Sequence, residues 1–188
     1  MIRRLSSLSV AVALLAASGE ARADMAGWFS VGFGGARLQA DGVDPHWRYH
    51  LPFNVGMGAP PSLPVFVGVG ARLDPYFLDG FDWAAYARIA TRSYVTGYWG
   101  VALDGGGYSR SFGQGSSGWM TTLNVGGPWG FIVSGNLEMG SNGAKTTSFT
   151  VGIDLLRLTV FRLSGEQQWP NVNPAWRPAT DTPATDKR

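Results

Sequence analysis

The chain contains no cysteine and only two histidines, His46 and His50. Without cysteine, neither a disulfide framework nor a thiolate metal site can form. The sequence also lacks a cluster of His, Asp and Glu at the helical or hairpin spacing that metal sites use. We therefore predict no metal site and no cofactor.

A long apolar segment is also missing. The mostly apolar run Leu5–Ala17 is too short for a transmembrane helix, which needs about 18–20 residues. It follows the basic pair Arg3 and Arg4 and precedes the small-residue motif Ala21-Arg22-Ala23. This order is typical of a secretory signal peptide. Residues 1–23 are therefore predicted to be removed by cleavage after Ala23.

Charge is scarce, because Asp, Glu, Lys and Arg make up 15% of the chain, against about 25% in soluble domains. Removing residues 1–23 takes away Arg3, Arg4, Arg22 and Glu20, which leaves 12 basic and 12 acidic residues. The mature chain is then formally neutral. The basic character of the whole sequence gives no support for nucleic-acid binding.

Alternation of apolar and polar residues is abundant instead, and the stretch Trp47–Met57 shows it most clearly. Its odd positions are large and apolar or aromatic, and its even positions are polar, charged, Gly or Pro. Successive side chains of a β-strand point to opposite faces, so this period of two predicts one strand with one wholly apolar face. Pro52 lies on the polar face and cannot donate to the ladder, which predicts a bulge or a missing hydrogen bond there.

About eight such strands follow one another, and no helix with an apolar face stands out. The connections alternate in predicted length, with the longer ones at 39–45, 75–80, 105–117 and 139–146. The alternation changes phase at Leu156, so residues 156–163 either extend the eighth strand past a bulge or form a ninth strand. Residues 24–164 are predicted to form one domain, and the Pro-rich residues 165–188 an extended or disordered tail.

Together, the export signal, the Gly-rich polar face and the aromatic-flanked apolar face resemble the small outer-membrane β-barrels of Gram-negative bacteria. The resemblance covers roughly residues 26–163 and is one of pattern, without a diagnostic motif; Phe161 is the nearest equivalent of the terminal aromatic residue of such barrels. It implies an all-β fold, a closed antiparallel up-and-down transmembrane β-barrel of about eight strands. Closure is also required physically, because lipid cannot satisfy an open sheet edge.

In the usual topology of such barrels the N-terminus is periplasmic, which assigns the aromatic residues to two membrane interfaces. The predicted girdle consists of Trp47, Tyr49, Trp83 and Trp119 at the outer interface and of Phe29 and Trp129 at the periplasmic one.

The polar faces of the strands are predicted to meet inside the barrel, where buried charges must be paired. The predicted interior charge network consists of Arg48, His50, Arg72, Asp74, Arg88, Asp104, Glu138 and Asp154. Within it we expect Arg48 and Arg72 to pair with Asp104 and Glu138, and Arg88 to pair with Asp154. Inward-facing glycines are expected to make room for the long side chains.

Three functions fit these patterns. The leading one is a non-enzymatic outer-membrane barrel with a structural, adhesive or narrow-channel role, in contact with membrane lipid and with an extracellular partner through loops 105–117 and 139–146. The first alternative is a soluble periplasmic barrel or sandwich that buries its large side chains and binds an apolar ligand. The second is a lipid-modifying enzyme with His50 as general base. The motif Gly113–Gly118 matches G-x-G-x-x-G but leads into a strand, so we interpret it as a flexible loop.

Overall fold

A computed structural model describes residues 26–59, 64–96, 99–113 and 115–158 of the chain. The predicted signal peptide (1–23), most of the region 156–163 and the predicted tail (165–188) lie outside these residues. The described part of the predicted barrel domain therefore runs from Ala26 to Leu158.

Nine hydrogen-bonded strands, two short helices and one 3-10 turn make up the described residues. The strands are β1 (Ala26–Ala40), β2 (Val43–His50), β3 (Phe53–Gly58), β4 (Val65–Tyr76), β5 (Gly80–Thr91), β6 (Gly100–Arg110), β7 (Ser116–Gly126), β8 (Phe131–Gly140) and β9 (Lys145–Asp154). The helices are Arg92–Thr96 and Leu155–Leu158, and the 3-10 turn is Pro128–Gly130.

The sheet closes on itself. Each strand from β3 to β8 pairs antiparallel with its successor, and β1 pairs with β9 from Ser30↔Asp154 to Gln39↔Lys145. Both β2 and β3 pair with β1, at its two ends, so they are successive halves of one barrel strand. The predicted closed antiparallel barrel of eight strands is confirmed.

The interruption between β2 and β3 lies at Leu51 and Pro52, as the proline predicted. The Leu51 amide donates to the carbonyl oxygen of Pro75 at 3.0 Å, and the carbonyl oxygen of Pro52 accepts from the Gly32 amide at 2.9 Å. The neighbouring strands thus still bond to this segment. The ladder is disturbed only where proline has no N–H to donate.

The two faces of the barrel have opposite chemistry. The outward side chains of the paired strands are mostly large and apolar, and Phe33, Val67 and Leu103 are each more than half exposed. The inward side chains include Arg72, Asp104 and many other buried polar groups. The soluble alternative with its large side chains inside is therefore wrong, because the structure has the reverse arrangement.

Four turns lie together at one end, which we call the upper end: 41–42, 77–79, the described residues 111–113 and 115, and 141–144. The helix Arg92–Thr96 and the 3-10 turn Pro128–Gly130 lie at the opposite, lower end. The predicted long loops 39–45, 105–117 and 139–146 are wrong, because strand residues fill at least half of each range. For example, β6 continues to Arg110 and β7 already begins at Ser116.

The glycines of β6 explain this error. A Cβ at Gly106 would collide with the carbonyl oxygen of Ala85 on β5, so the glycine permits close strand contact rather than loop flexibility. At the lower end, Val95 is buried in the helix Arg92–Thr96. The phase change at Leu156 arises from the helix Leu155–Leu158, so within the described residues neither a bulge nor a ninth barrel strand causes it.

The neighbouring glycines Gly105 and Gly106 provide a test of close packing in β6. A methyl group added at Gly105 would meet no other atom within 4 Å, whereas one added at Gly106 would collide with the Ala85 backbone. We expect Gly106→Ala to lower the free energy of unfolding by about 1–3 kcal/mol, and Gly105→Ala to leave it nearly unchanged. Urea unfolding in lipid vesicles, followed by tryptophan fluorescence, measures both. Equal effects of the two substitutions would contradict the register of β5 and β6.

Candidate functional site: the barrel interior and its upper mouth

The lower half of the interior is organised around Arg88. Its guanidinium forms a bidentate pair with Asp104, at 2.6 Å from Nε to Oδ1 and 2.8 Å from Nη2 to Oδ2. Asn124 donates to the same carboxylate at 2.8 Å. The guanidinium carbon lies 4.5 Å from the centre of the Trp28 ring, and Trp28 Nε1 donates to the Tyr86 hydroxyl at 3.0 Å. This cluster satisfies a buried cation by charge, hydrogen bonds and aromatic contact.

Inward glycines make this cluster possible, as expected. A Cβ at Gly56 would collide with the Trp28 ring, and a Cβ at Gly70 would lie 2.6 Å from the Tyr86 hydroxyl oxygen. Trp28 itself was missed in the sequence, although its position one residue before Phe29 places it on the inner face.

The predicted pair of Arg88 with Asp154 is wrong. The register of β5 and β6 places Arg88 directly opposite Asp104, so the two side chains meet as a cross-strand pair. Asp154 lies at the end of β9, where its carboxylate accepts from the backbone amides of Leu156 at 3.0 Å and Phe29 at 3.5 Å. It thus contacts the start of the helix Leu155–Leu158.

The upper half of the interior holds two more arginines. Arg72 pairs with Asp74, two residues along the same face of β4, and donates to the Thr122 hydroxyl at 3.2 Å. Arg110 pairs with Asp82 at 2.7 Å and lies 3.4 Å from the carboxylate of Glu138. These ion pairs are almost fully buried.

Two members of the predicted upper network, Arg48 and Asp104, therefore have other partners than those predicted. Arg48 pairs with Asp79 of the turn 77–79 at 2.7 Å, and it lies at the upper mouth with 36% of its side chain exposed. Asp104 belongs to Arg88. Arg110 was missed because the Gly- and Ser-rich segment 105–117 was assigned to a loop. Asp82 was left out of the network, although strand parity places its side chain inside, between the outward Phe81 and Trp83.

His50 lies at the centre of a hydrogen-bonded chain. Its Nδ1 lies 3.1 Å from Asp74 Oδ1, its Nε2 lies 3.3 Å from Thr150 Oγ1, and its ring stacks on Tyr76 at 5.5 Å. A hydroxyl, an imidazole and a carboxylate in this order are also the components of a hydrolytic triad. Thr150 was missed because β9 is 100 residues away in sequence and reaches His50 only through barrel closure.

The hydrogen-bonded group of Thr150, His50 and Asp74 is enclosed on all sides. His50 has no exposed surface, and Asp74 and Thr150 are buried. The cavity beside Thr150 measures about 20 Å³, which is room for about one water molecule. The arrangement can orient the imidazole and the carboxylate, but the cavity leaves no space for a lipid or peptide substrate.

A much larger cavity of about 440 Å³ opens at the upper end. Its walls come from the β1–β2 hairpin, from the turns 77–79 and 141–144, and from Phe112, Gly113 and Gly115 between β6 and β7. We call it the mouth cavity; its lining includes Leu38, Val43, His46, Arg48, Leu78, Asp79, Arg110, Phe112, Ser116 and Asn142. Below it, Ala36, Leu38 and Tyr76 form an apolar cluster against which Phe112 packs. This cluster separates the mouth cavity from His50 and Asp74.

Tyr108, Arg110 and Phe112 were expected to lie in an exposed loop. Tyr108 and Arg110 instead point inward from β6, where Tyr108 is buried and Arg110 forms ion pairs. Only Phe112 belongs to a turn, and it covers part of the mouth cavity.

The outward aromatic residues lie at both ends of the barrel. Trp47, Tyr49, Trp83 and Trp119 are between 48% and 68% exposed and lie near the upper end. At the lower end Trp129 is 55% exposed and Phe29 is half-buried. Trp99, which was not assigned to the girdle, is 66% exposed beside the same lower connections.

Among the described residues, no helix is long and apolar enough to cross a membrane. Within the same ranges, no group of three or more His, Cys, Asp and Glu residues is arranged to hold a metal ion.

Comparison with known proteins finds no family model that matches the chain and no curated protein that matches it in sequence. Among solved structures, the chain is similar to Ail, the attachment invasion locus protein of Yersinia pestis. The structure of Ail with the heparin analogue sucrose octasulfate matches with 11% identity and a TM-score of 0.36, over 70% of this chain and 97% of that one. A second Ail structure matches with 13% identity and a TM-score of 0.29 over the same shares.

Removing one partner of the Arg88–Asp104 ion pair is expected to lower the free energy of unfolding far more than replacing both partners by apolar residues. Asp104→Leu leaves the buried guanidinium without its carboxylate and should lower the free energy of unfolding by about 3–5 kcal/mol. The double substitution Arg88→Met/Asp104→Leu should recover most of that loss, since it removes both charges.

As a control, Asp79→Ala breaks the partly exposed pair with Arg48 and should cost about 1 kcal/mol or less. Reversible unfolding of the wild type and the three variants in the same vesicles measures these differences in the free energy of unfolding. A double variant as unstable as Asp104→Leu would show that the two residues do not act as a pair.

Proposed function

We propose that this protein is a non-enzymatic outer-membrane β-barrel whose interior is a structural plug and whose upper end serves contact with molecules outside the cell. The observation that carries the proposal is the inverted distribution of side chains. Twenty-six large hydrophobic residues are exposed in the described part of the chain, whereas arginine and carboxylate side chains are buried. Soluble monomers rarely expose contiguous apolar patches larger than a few hundred Å². Lipid is the solvent that such a surface suits.

The aromatic residues support an upright position in a bilayer. Trp47, Trp83 and Trp119 at the upper end and Trp129 at the lower end expose amphipathic rings, which favour the headgroup level of both interfaces. The predicted signal peptide supports export, and a periplasmic N-terminus would place the upper end outside. Residues Trp47, Tyr49, Trp83, Trp119, Phe29 and Trp129 then act as the membrane girdle.

Two outward cations support a lipid contact at the upper end. Arg37 on β1 and Lys145 on β9 are exposed on the outer face, and the register places them on neighbouring strands at a diagonal. Phe149, opposite Gly35, lies on the same face one step lower. This order of cation above aromatic side chain fits lipid phosphates above acyl chains.

The interior supports a plug rather than a channel. Arg72, Arg88 and Arg110 each bind a carboxylate inside the lumen, and the apolar cluster around Tyr76 closes it above. An eight-stranded barrel has an interior that side chains can fill. The paired charges therefore serve stability. The adhesive part of the role would rest on the turn 141–144 and on residues 111–113 and 115 rather than on long loops.

The buried chain of Thr150, His50 and Asp74 favours a second candidate, a lipid-modifying enzyme. Its enclosure inside the barrel, away from the lipid face, speaks against that role. His50→Asn separates the two functions. Under our proposal this variant shows lower thermal stability, because the contact with Thr150 or Asp74 is weakened, and cell-envelope lipids remain chemically unchanged. A change in lipid composition that follows the variant would instead support the enzyme.

The lipid-facing surface is tested by one arginine placed at two depths on β7. Leu123 and Ser117 both point outward, but Leu123 lies near the middle of the strand and Ser117 near its upper end. We expect Leu123→Arg to lower the free energy of unfolding from vesicles by about 2–4 kcal/mol and Ser117→Arg by about 0–1 kcal/mol.

Cell fractionation provides the companion measurement. The wild-type protein should stay in the detergent-extracted outer membrane and shift its gel mobility on heating. Recovery in osmotic-shock fluid, together with equal effects of the two arginines, would overturn the membrane location.

A further inference from the structure

The mouth cavity has the dimensions of a small-molecule site. Its volume of about 440 Å³ falls within the range of about 300–1,000 Å³ that ligand pockets occupy. The neighbouring cavity at Thr150, with about 20 Å³, holds no more than water. The mouth cavity opens to solvent at the upper end, whereas its floor is closed by the cluster around Tyr76 and Phe112.

The charges that line the mouth cavity are already neutralised. Arg48 binds Asp79 at 2.7 Å. Arg110 binds Asp82, and its Nη2 also donates to Thr146 at 2.5 Å. A charged ligand would have to break one of these pairs to gain a partner of its own. An uncharged ligand meets no such cost.

The remaining lining is mainly apolar and includes an aromatic ring. Leu38 is buried beneath the cavity, and the Phe112 ring lies 5.4 Å from the Tyr76 ring and 4.9 Å from the Arg110 guanidinium. Four uncharged polar residues also line the wall: Gln39, His46, Ser116 and Asn142. Few polar groups on an apolar, aromatic lining is the usual composition of a site for a small organic molecule.

Leu78 provides an independent observation at the lip of this cavity. Its side chain is completely exposed at the tip of the turn 77–79, and its backbone has a φ of 76°. A leucine rarely adopts this left-handed conformation, which Asn and Gly tolerate better. Neither solvent exposure nor local backbone energy favours leucine here, whereas an apolar molecule in the cavity below would.

From these observations we infer that the mouth cavity binds a small, uncharged, largely apolar molecule with an aromatic ring, held between Leu38, Phe112 and the overhanging Leu78. Which side of the membrane supplies this molecule depends on the orientation proposed above. The binding does not depend on that orientation, so it can be measured whether or not the orientation holds.

The test uses the full mature protein in lipid nanodiscs, with empty nanodiscs as reference, and titration calorimetry. The probes are 2-naphthol, which is neutral at pH 7, and its anionic counterpart 2-naphthalenesulfonate. We expect saturable binding of one 2-naphthol per barrel beyond the uptake by empty nanodiscs, and at least tenfold weaker binding of the anion. Equal or tighter binding of the anion, or uptake no greater than that of empty nanodiscs, would overturn the inference.

Two neighbouring substitutions separate a binding role of Leu78 from a structural one. Leu78→Asn removes the apolar lip but suits the left-handed backbone, so its melting temperature should equal or exceed that of the wild type. Its affinity for 2-naphthol should fall at least about tenfold, as expected from the loss of one buried leucine contact. Phe77→Asn lies in the same turn but outside the cavity lining, and it should change the affinity less than about twofold.

Ala40→Trp provides a third variant, which fills the cavity from the β1–β2 hairpin without adding charge. It should abolish saturable binding. Unchanged affinity in both Leu78→Asn and Ala40→Trp would show that 2-naphthol binds elsewhere.

Discussion

The pairing of β1 with β9 is the contact on which the rest of the structure depends. It turns an open sheet of short strands into a closed ladder, so no strand edge is left without hydrogen-bond partners. It also gives every strand a fixed inner and outer face. Once the ladder closes, a sequence such as Trp47–Met57 has only one arrangement that keeps its aromatic residues together on one surface. The polar residues of the same strand are then forced into the interior, whether or not their partners are near in sequence.

That constraint explains the arginines. A guanidinium in a narrow lumen must be paired, and each of the three buried arginines reaches a carboxylate within hydrogen-bond distance. The partners come from two geometric relations. Arg72 and Asp74 lie two residues apart on one strand, and Arg88 and Asp104 lie opposite each other on neighbouring strands. The second relation depends on the register of β5 and β6, whereas the first follows from the alternation of side chains along β4.

How much the sequence could predict depends on whether a feature is local to one strand or depends on how the strands pair. The period of two is a local property, and it predicted the strands and their two faces. The closed eight-stranded barrel was implied by the resemblance to small outer-membrane barrels, and the break at Pro52 followed from its missing N–H. Pairing is not local: Arg88 could meet Asp104 or Asp154 with equal parity, and only the register of β5 and β6 decides. The same limit hid Thr150, which approaches His50 through the closing pair of strands. The error in β6 had another origin, since Gly105–Gly107 resemble a flexible loop until the proximity of the Ala85 backbone shows why Gly106 carries no side chain.

The apolar cluster around Tyr76 divides the interior into two parts with separate roles. Below it, His50, Arg72 and Arg88 lie among paired polar groups that stabilise the barrel. Above it, the mouth cavity is lined by side chains whose charges are already satisfied. Because Arg110 and Phe112 form the boundary, a substitution above them should alter the mouth cavity without disturbing the Arg88 cluster, and the reverse should also hold. The barrel can therefore keep its stability while the residues at its upper end change. A protein that combines a stable barrel wall with a variable contact surface requires this independence of the two parts.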